Sequence, residues 1–329
     1  MHIVAGDIGG TKSSFGLFAL ASNGVTEVRS QTFTSRRHQR FEDLLKEFLG
    51  ADGVPRVASF AIAGPVMHQR CVTTNLPWVI DAEEIRAELG LKDVWLLNDI
   101  EAAAHAMAHL STSDFVELNP EAQPVQGHQA VISVGTGLGQ AILFFDGERH
   151  QVLATEGGHA SFAPQNDRED QLLRYLRESL GGHVSMERIL AGNGFATLYD
   201  WLKSTGYARA SACIERAFEH ADRNAVVSTH GMSGDDALCV ESVRMFCRIL
   251  GAEAGNLALK CLPRGGLYVA GGVAPKIRPA LASGDFLDAY LDKGRLRSAI
   301  DSIPIRLVLN PAAPLLGAAH DAARRVLRL

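Results

Sequence analysis

The sequence predicts an α/β fold in two domains, and three observations predict it. Apolar β-branched runs alternate with helical stretches in the first half of the chain, a block of helical spacing follows, and strand signals return near the C-terminus. At 329 residues the chain is also longer than one hydrophobic core commonly serves.

Taken in order, strands are expected at His2 to Ile8, Val57 to Ala63, Val94 to Leu97, Ala130 to Val134 and Leu267 to Ala270, each running into glycines or a helix. Asp81-Ala82-Glu83-Glu84 has the residue types of a capping box and predicts a helix that stops at Gly90. Another helix is expected from Glu101 to Leu110. After Lys203, helical windows cover Ala208 to His220 and Asp235 to Lys260, the second long enough to be the central packing helix of its own domain. Ile303 to Leu309 reads as a strand, and Pro314 to Leu329 as an amphipathic helix returning to the N-terminal domain. A hinge near 110 and a return crossing near 310 follow. Residues 1–110 with 311–329 make a small α/β domain, and 111–310 a large α/β domain with a helical insertion.

Composition narrows the function. A chain that is 47% hydrophobic and 21% charged has the balance of a soluble globular protein, and a net charge of -5 gives no reason to expect a nucleic-acid or anionic-membrane partner. The N-terminus turns acidic and glycine-rich at Gly6-Asp7 before any long apolar stretch, so neither a signal peptide nor a membrane anchor is expected. No later apolar run is of spanning length. The five cysteines are scattered and never in a CxxC arrangement, which reads as reduced thiols of a cytoplasmic protein.

Two glycine loops echo one another. Gly6-Asp7-Ile8-Gly9-Gly10-Thr11-Lys12 follows a strand, as does Gly135-Thr136-Gly137-Leu138-Gly139, and each leads straight into another strand. Both are hairpin turns. Consecutive backbone N–H groups in such a turn can converge on an anion, phosphate above all. The Rossmann fingerprint needs a helix directly after the glycines, and the Walker loop needs GxxxxGK[ST]; neither is present. A plain tight hairpin competes with nucleotide binding for either loop alone. Two loops, with hydroxyls at Thr11 and Thr136 and an acid at Asp7, shift the balance towards nucleotide.

Several polar residues carry two readings each. Asp99 follows a strand end and precedes a helix, which places it either in a crevice or as the N-cap of that helix. Glu156 and His159 sit on a glycine turn that they decorate or that presents them to a ligand. Glu187 is a helix acid facing water or a ligand contact, Asn75 a turn asparagine or a contact, and Gly271-Gly272 a strand-to-helix turn or a platform for a base. Trp78 and Trp95 read as core or wall.

Six further strings stand in a fixed order: Ala63-Gly64-Pro65, Thr74-Asn75-Leu76-Pro77-Trp78, Leu97-Asn98-Asp99, Glu156-Gly157-Gly158-His159, Val184 to Leu190 and Gly255-Asn256-Leu257-Ala258-Leu259. Together with the two glycine loops and Ala270-Gly271-Gly272-Val273, they resemble the bacterial glucokinases of the actin and hexokinase superfamily nearly end to end. The resemblance implies the actin/hexokinase-like, ribonuclease H-like fold, with a cleft between a small and a larger α/β domain. It also implies transfer of the terminal phosphate of ATP to the 6-hydroxyl of glucose, the entry step of glycolysis, in a homodimer. Asp99 matches the catalytic base. Asn75, Asn98, Asp99, Glu156, His159 and Glu187 match sugar contacts. Gly9, Gly10, Thr11, Lys12, Gly135, Thr136 and Gly137 match phosphate contacts, and Gly271 and Gly272 the adenosine loop. Asp7 would hold magnesium through water. Related repressor-type sugar kinases carry a zinc-binding cysteine cluster after the glycine-histidine loop; here no cysteine follows His159 before Cys213, so no zinc is expected.

Overall fold

A computed structural model describes residues 1–21, 24–50, 55–73 and 76–327. The chain folds into two compact units, Met1–Thr112 with Asn310–Leu329, and Ser113–Leu309.

In the first unit the chain runs through β1 (His2–Ile8), β2 (Lys12–Ala21), β3 (Gly24–Thr34), α1 (Phe41–Leu49) and β4 (Val57–Ile62). It continues through β5 (Arg70–Val72), β6 (Val79–Asp81), α2 (Ala82–Leu89), β7 (Asp93–Asn98) and α3 (Asp99–Ala106). Five strands form one sheet in the order β3-β2-β1-β4-β7. β1 is antiparallel to β2, whereas β1, β4 and β7 run parallel, with Ile8 opposite Ile62 and Ile62 opposite Asn98. The carboxyl ends of three parallel strands therefore share one edge, which is where open α/β sheets place ligand sites.

Every residue of β4 is buried, as expected of a strand covered on both faces. One face packs Phe15, Phe60 and Ile62 against Phe41 and Leu44 of α1 and Ile85 of α2. Trp78 belongs to this core, its indole N–H donating to the His38 carbonyl at 3.1 Å. Asp81 caps α2 by accepting from the N–H groups of Glu83 and Glu84, and Gly90 ends the helix in the left-handed conformation.

The second unit opens with β8 (Phe115–Glu117), β9 (Gln129–Val134), β10 (Leu138–Phe145) and β11 (His150–Thr155). Helices α4 (Asp167–Leu180), α5 (Glu187–Leu190), α6 (Gly194–Ser204), α7 (Ala212–Phe218), α8 (Arg223–Ser233) and α9 (Ala237–Cys261) follow. Then come β12 (Gly266–Ala270), α10 (Arg278–Leu281), α11 (Asp285–Leu291), α12 (Arg297–Ile300) and β13 (Ile305–Val308). The sheet order is β11-β10-β9-β12-β13-β8. One large apolar cluster, centred on α9, serves this unit. The chain returns to the first unit as α13 (Ala313–Leu327), which packs with α3 on the other face of its sheet through Ala102, Leu315, Ala318 and Ala319.

Several elements differ from the expectation. In the second unit the run of helices begins at Asp167 rather than after Lys203, because α4 buries only Glu169, Leu172 and Leu176 and its charges mask the apolar stripe. The helix expected over Ala208 to His220 is confined to Ala212–Phe218, capped by Ser211. The helix expected from Glu101 starts two residues earlier, at Asp99. The strand expected over Ile303 to Leu309 is shortened to Ile305–Val308. The long strand β3 and the short β8 lacked a period-2 apolar pattern strong enough to announce them, β3 burying only Phe33.

Candidate active site

In the first unit the Gly9-Gly10-Thr11 turn joins β1 to β2, with Asp7 opposite Ser14 and Ile8 opposite Ser13. The Gly9 N–H donates to the Lys12 carbonyl at 3.0 Å. Ser35, fully buried at the end of β3, fixes the turn from outside. Its N–H donates to the Thr11 carbonyl at 3.0 Å, its hydroxyl donates to the Gly9 carbonyl at 2.8 Å, and the same hydroxyl lies 2.9 Å from that of Ser13. Sequence reasoning missed Ser35, since a serine after a strand carries no spacing that distinguishes it. The turn is thus held in one shape while Thr11 and Lys12 face solvent.

Asn98 and Asp99 lie where β7 passes into α3. Asn98 does the capping: its Oδ1 accepts from the Ile100 N–H at 3.0 Å, and its Nδ2 donates to the Gly64 carbonyl at 3.0 Å. The Ala63-Gly64 turn is tied in turn to β1, the Ala63 N–H donating to the Ile8 carbonyl at 3.0 Å. Asp99 is therefore the first residue of the helix and not its cap; its Oδ1 shares the Ile100 N–H at 2.8 Å. Across the sheet edge, burial pushes the carboxyl of Asp7 up to about 6, and the charge of Asp99 adds to the effect. Two acids thus stand within electrostatic reach of each other beside the Gly9 to Lys12 turn. Asn75 lies outside the described residues.

In the second unit the Gly135-Thr136-Gly137 turn joins antiparallel β9 and β10, with the Gly135 N–H donating to the Gly137 carbonyl at 2.9 Å. Glu187, the first residue of α5, is half-buried, and its Oε2 accepts from the Leu138 N–H at 3.0 Å. A Cβ at position 137 would stand 2.7 Å from that oxygen, so a larger residue there would displace the Glu187 carboxylate. The solvated-acid reading of Glu187 does not hold. His159 Nε2 lies 4.0 Å from Glu187 Oε1, and Glu156 and His159 both stand exposed at the ends of a single 3-10 turn.

The Gly271-Gly272 turn leaves β12 beside this loop, because β12 pairs with β9 and places Ala270 opposite Ser133. Gly271 has φ 92°, and a Cβ there would meet the Val134 carbonyl oxygen at 2.3 Å. Gly192, another residue without a sequence signal, packs its Cα side towards the Gly135 carbonyl. The second unit therefore gathers Glu156, His159 and Glu187 with the Gly135 to Gly137 turn and the Gly271-Gly272 turn. The first unit gathers Asp7, Asn98 and Asp99 with the Gly9 to Lys12 turn.

Among the described residues, no group of three or more histidines, cysteines, aspartates or glutamates is placed to hold a metal ion. No helix among them is long and apolar enough to cross a membrane.

Two mixed α/β units, each presenting a glycine hairpin and acids at its strand ends, define a sugar kinase of the actin/hexokinase-like fold. A ROK family glucokinase from Streptomyces griseus, solved with glucose and AMPPNP, shares that fold at a TM-score of 0.63 and 21% identity, covering 98% of this chain and 100% of its own. A glucokinase from an Antarctic psychrotroph is nearer, with a TM-score of 0.85 and 30% identity over 98% of each chain. The glucokinase of Nostoc punctiforme is 37% identical over 337 residues, 98% of this chain and 99% of that one. With the glucokinase family model also matching residues 4–325, the chain belongs to the glucokinase family. Its activity is the ATP-dependent phosphorylation of glucose.

Proposed function

We propose that Asp99 is the general base of this reaction. It takes the proton of the glucose 6-hydroxyl as that oxygen forms its bond to the terminal phosphorus of ATP and the bond from phosphorus to the ADP oxygen breaks. The observation that carries the reading is the β7 end, where Asn98 takes the cap position and Asp99, the first helical residue, stands at the sheet edge, close enough to disturb Asp7. The Asp99 carboxylate and the Asn98 amide have the chemistry to meet a sugar hydroxyl, which both donates and accepts. Glu156, His159 and Glu187 supply the other sugar contacts, joined by Asn75 on the resemblance of its string.

Gly9, Gly10, Thr11 and Lys12 hold the terminal phosphates, and Gly135, Thr136 and Gly137 the other phosphate arm. Gly271 and Gly272 let adenine lie against backbone. Asp7 suits magnesium: a carboxylate raised by burial and by a second acid is short of positive charge. Magnesium, bound with the nucleotide, supplies that charge, and Asp7 would hold it through water. A cytoplasmic homodimer is the working assembly.

A coupled assay of ADP release across a panel of hexoses tests the substrate. Glucose is expected to give the highest kcat/KM, with mannose, fructose and N-acetylated amino sugars well below it. A panel member exceeding glucose would reassign the sugar while leaving the base assignment standing.

A further inference from the structure

Behind the Glu156 to His159 loop lies a buried polar network that the phosphoryl transfer does not itself use. Gln140 on β10 is 2% exposed and Glu253, inside α9, is 3% exposed. Gln140 Nε2 donates to Glu253 Oε1 at 2.7 Å, and Asn256 Nδ2 donates to Glu253 Oε2 at 3.0 Å. The ammonium group of Lys293 is shut away from solvent without a hydrogen-bond partner among the described residues, and Glu253 is one of the carboxylates whose field it feels. A carboxylate taken out of water is costly unless its oxygens are hydrogen-bonded and a cation is near. Both conditions are met inside a helix that otherwise buries mostly apolar residues.

The other end of the network meets the loop. Thr155 Oγ1 donates to the Gln140 carbonyl at 2.9 Å and accepts from the Gly157 N–H at 3.1 Å. A Cβ at position 157 would stand 2.3 Å from Gln140 Oε1, and one at 158 would stand 1.9 Å from the Leu138 carbonyl oxygen. The loop therefore rests directly on Gln140 and on the start of β10. Because the Gln140 Nε2 donates to Glu253 Oε1, the amide turns its NH₂ inward and its Oε1 towards the loop.

We propose that Gln140, oriented by Glu253, is a positioning residue that sets the height and angle at which Glu156 and His159 are offered to the sugar. This rests on the reading that the Glu156 to His159 loop takes the sugar. The Gln140–Glu253 pair then acts on sugar affinity and not on nucleotide affinity, although the phosphate turn leads into the same end of β10.

Steady-state kinetics of Gln140→Glu, Glu253→Gln, the double exchange and Glu156→Gln test it. Gln140→Glu sets two carboxylates face to face and is expected to raise the glucose KM about tenfold or more, with the ATP KM within about twofold of wild type. Glu253→Gln is expected to raise the glucose KM in the same selective way. The double exchange restores a carboxylate–amide pair with the roles reversed, and the amide oxygen introduced at position 253 still accepts from Asn256. Its glucose KM should return to within about threefold of wild type. Should Gln140→Glu fail to fold, Glu253→Gln, which replaces one oxygen by NH₂, carries the comparison. Glucose KM values within about twofold of wild type in the single variants, or glucose and ATP KM rising together, would overturn the proposal while leaving the sugar loop in place. An unchanged glucose KM in Glu156→Gln would overturn the loop reading and the proposal with it.

Discussion

Asp7, proposed above to hold magnesium, shows how a buried carboxylate at the sheet edge weighs on the fold. Its carboxyl is raised from 3.8 to about 6. Between those values the folded chain keeps a proton that the unfolded chain releases, so stability falls as pH rises through that window and the full penalty is present above about 6. Asp7→Asn should therefore stabilise the ligand-free protein at pH 8, by on the order of 3 kcal/mol for a difference of this size, and leave it unchanged below pH 3.8. The same variant should lose most of its magnesium-dependent ATP turnover. Urea midpoints at about pH 8 and below about pH 4 check the first part, and a lower midpoint at the higher pH would contradict it. Glu187 makes a second case, since its carboxylate accepts from Leu138 N–H while facing His159. Glu187→Ala removes a charge-assisted hydrogen bond worth about 1.5–3 kcal/mol and should raise the glucose KM roughly ten- to a hundred-fold. An unchanged value would leave Glu187 as a brace for the phosphate turn and nothing more.

Among the elements, α3 carries the proposed base, Asp99, as its first residue. It is set by α13, whose Gly317 lies so close to α3 that a Cβ would fall 1.7 Å from the Ala102 carbonyl oxygen. Gly317→Ala must push the helices apart, which should cost about 1–3 kcal/mol or more and lower kcat by displacing Asp99. A melting temperature and kcat both equal to wild type would contradict this placement of α3. The same seam holds His105, pushed down to about 4 by burial, and His320, also pushed down to about 4 by burial and by its histidine neighbours. His105 Nε2 lies 3.5 Å from Asp321 Oδ1, and Asp321 accepts from Arg324 at 2.9 Å and Arg325 at 2.6 Å. Both imidazoles are neutral when folded and charge on unfolding, so their contribution is fully present above 6.5 and is lost as pH falls towards about 4. His105→Gln should therefore flatten the fall in stability between those values, whereas an unchanged pH profile would place the acid sensitivity elsewhere. How much of this was legible varies by element. The glycine hairpins and the Asp81 to Gly90 helix could be read directly, because glycine and capping residues act through local backbone chemistry. The start of α3 lies two residues before the expected one, because Asn98 and Asp99 are both cap-forming types that accept from the same N–H, and only the extended backbone of Asn98 marks it as the cap. Gly317 gave no signal, since close helix packing depends on a partner at the far end of the sequence.

At the scale of the whole molecule, each unit brings a glycine hairpin and polar side chains to one edge of its sheet. In the first, three parallel strands end together at Ile8, Ile62 and Asn98. In the second, the β9–β10 turn, the Glu156 loop, Glu187 and the β12 end converge on Leu138 and Val134. The motif residues were legible one string at a time. What holds them was not: Ser35, Gln140 and Glu253 are ordinary polar residues whose partners, Gly9, Gly157 and Gln140, stand far from them in sequence. With Asp99 as the proposed base, activation of the sugar would depend on one group, and the most direct measurement is on Asp99→Asn, comparing glucose affinity by calorimetry with turnover by ADP release. The variant is expected to bind glucose within a few-fold of wild type while kcat falls by about a hundredfold or more, the range a general base contributes. A kcat near that of wild type would contradict the assignment, and loss of glucose binding in proportion to kcat would make Asp99 a binding group instead of a base.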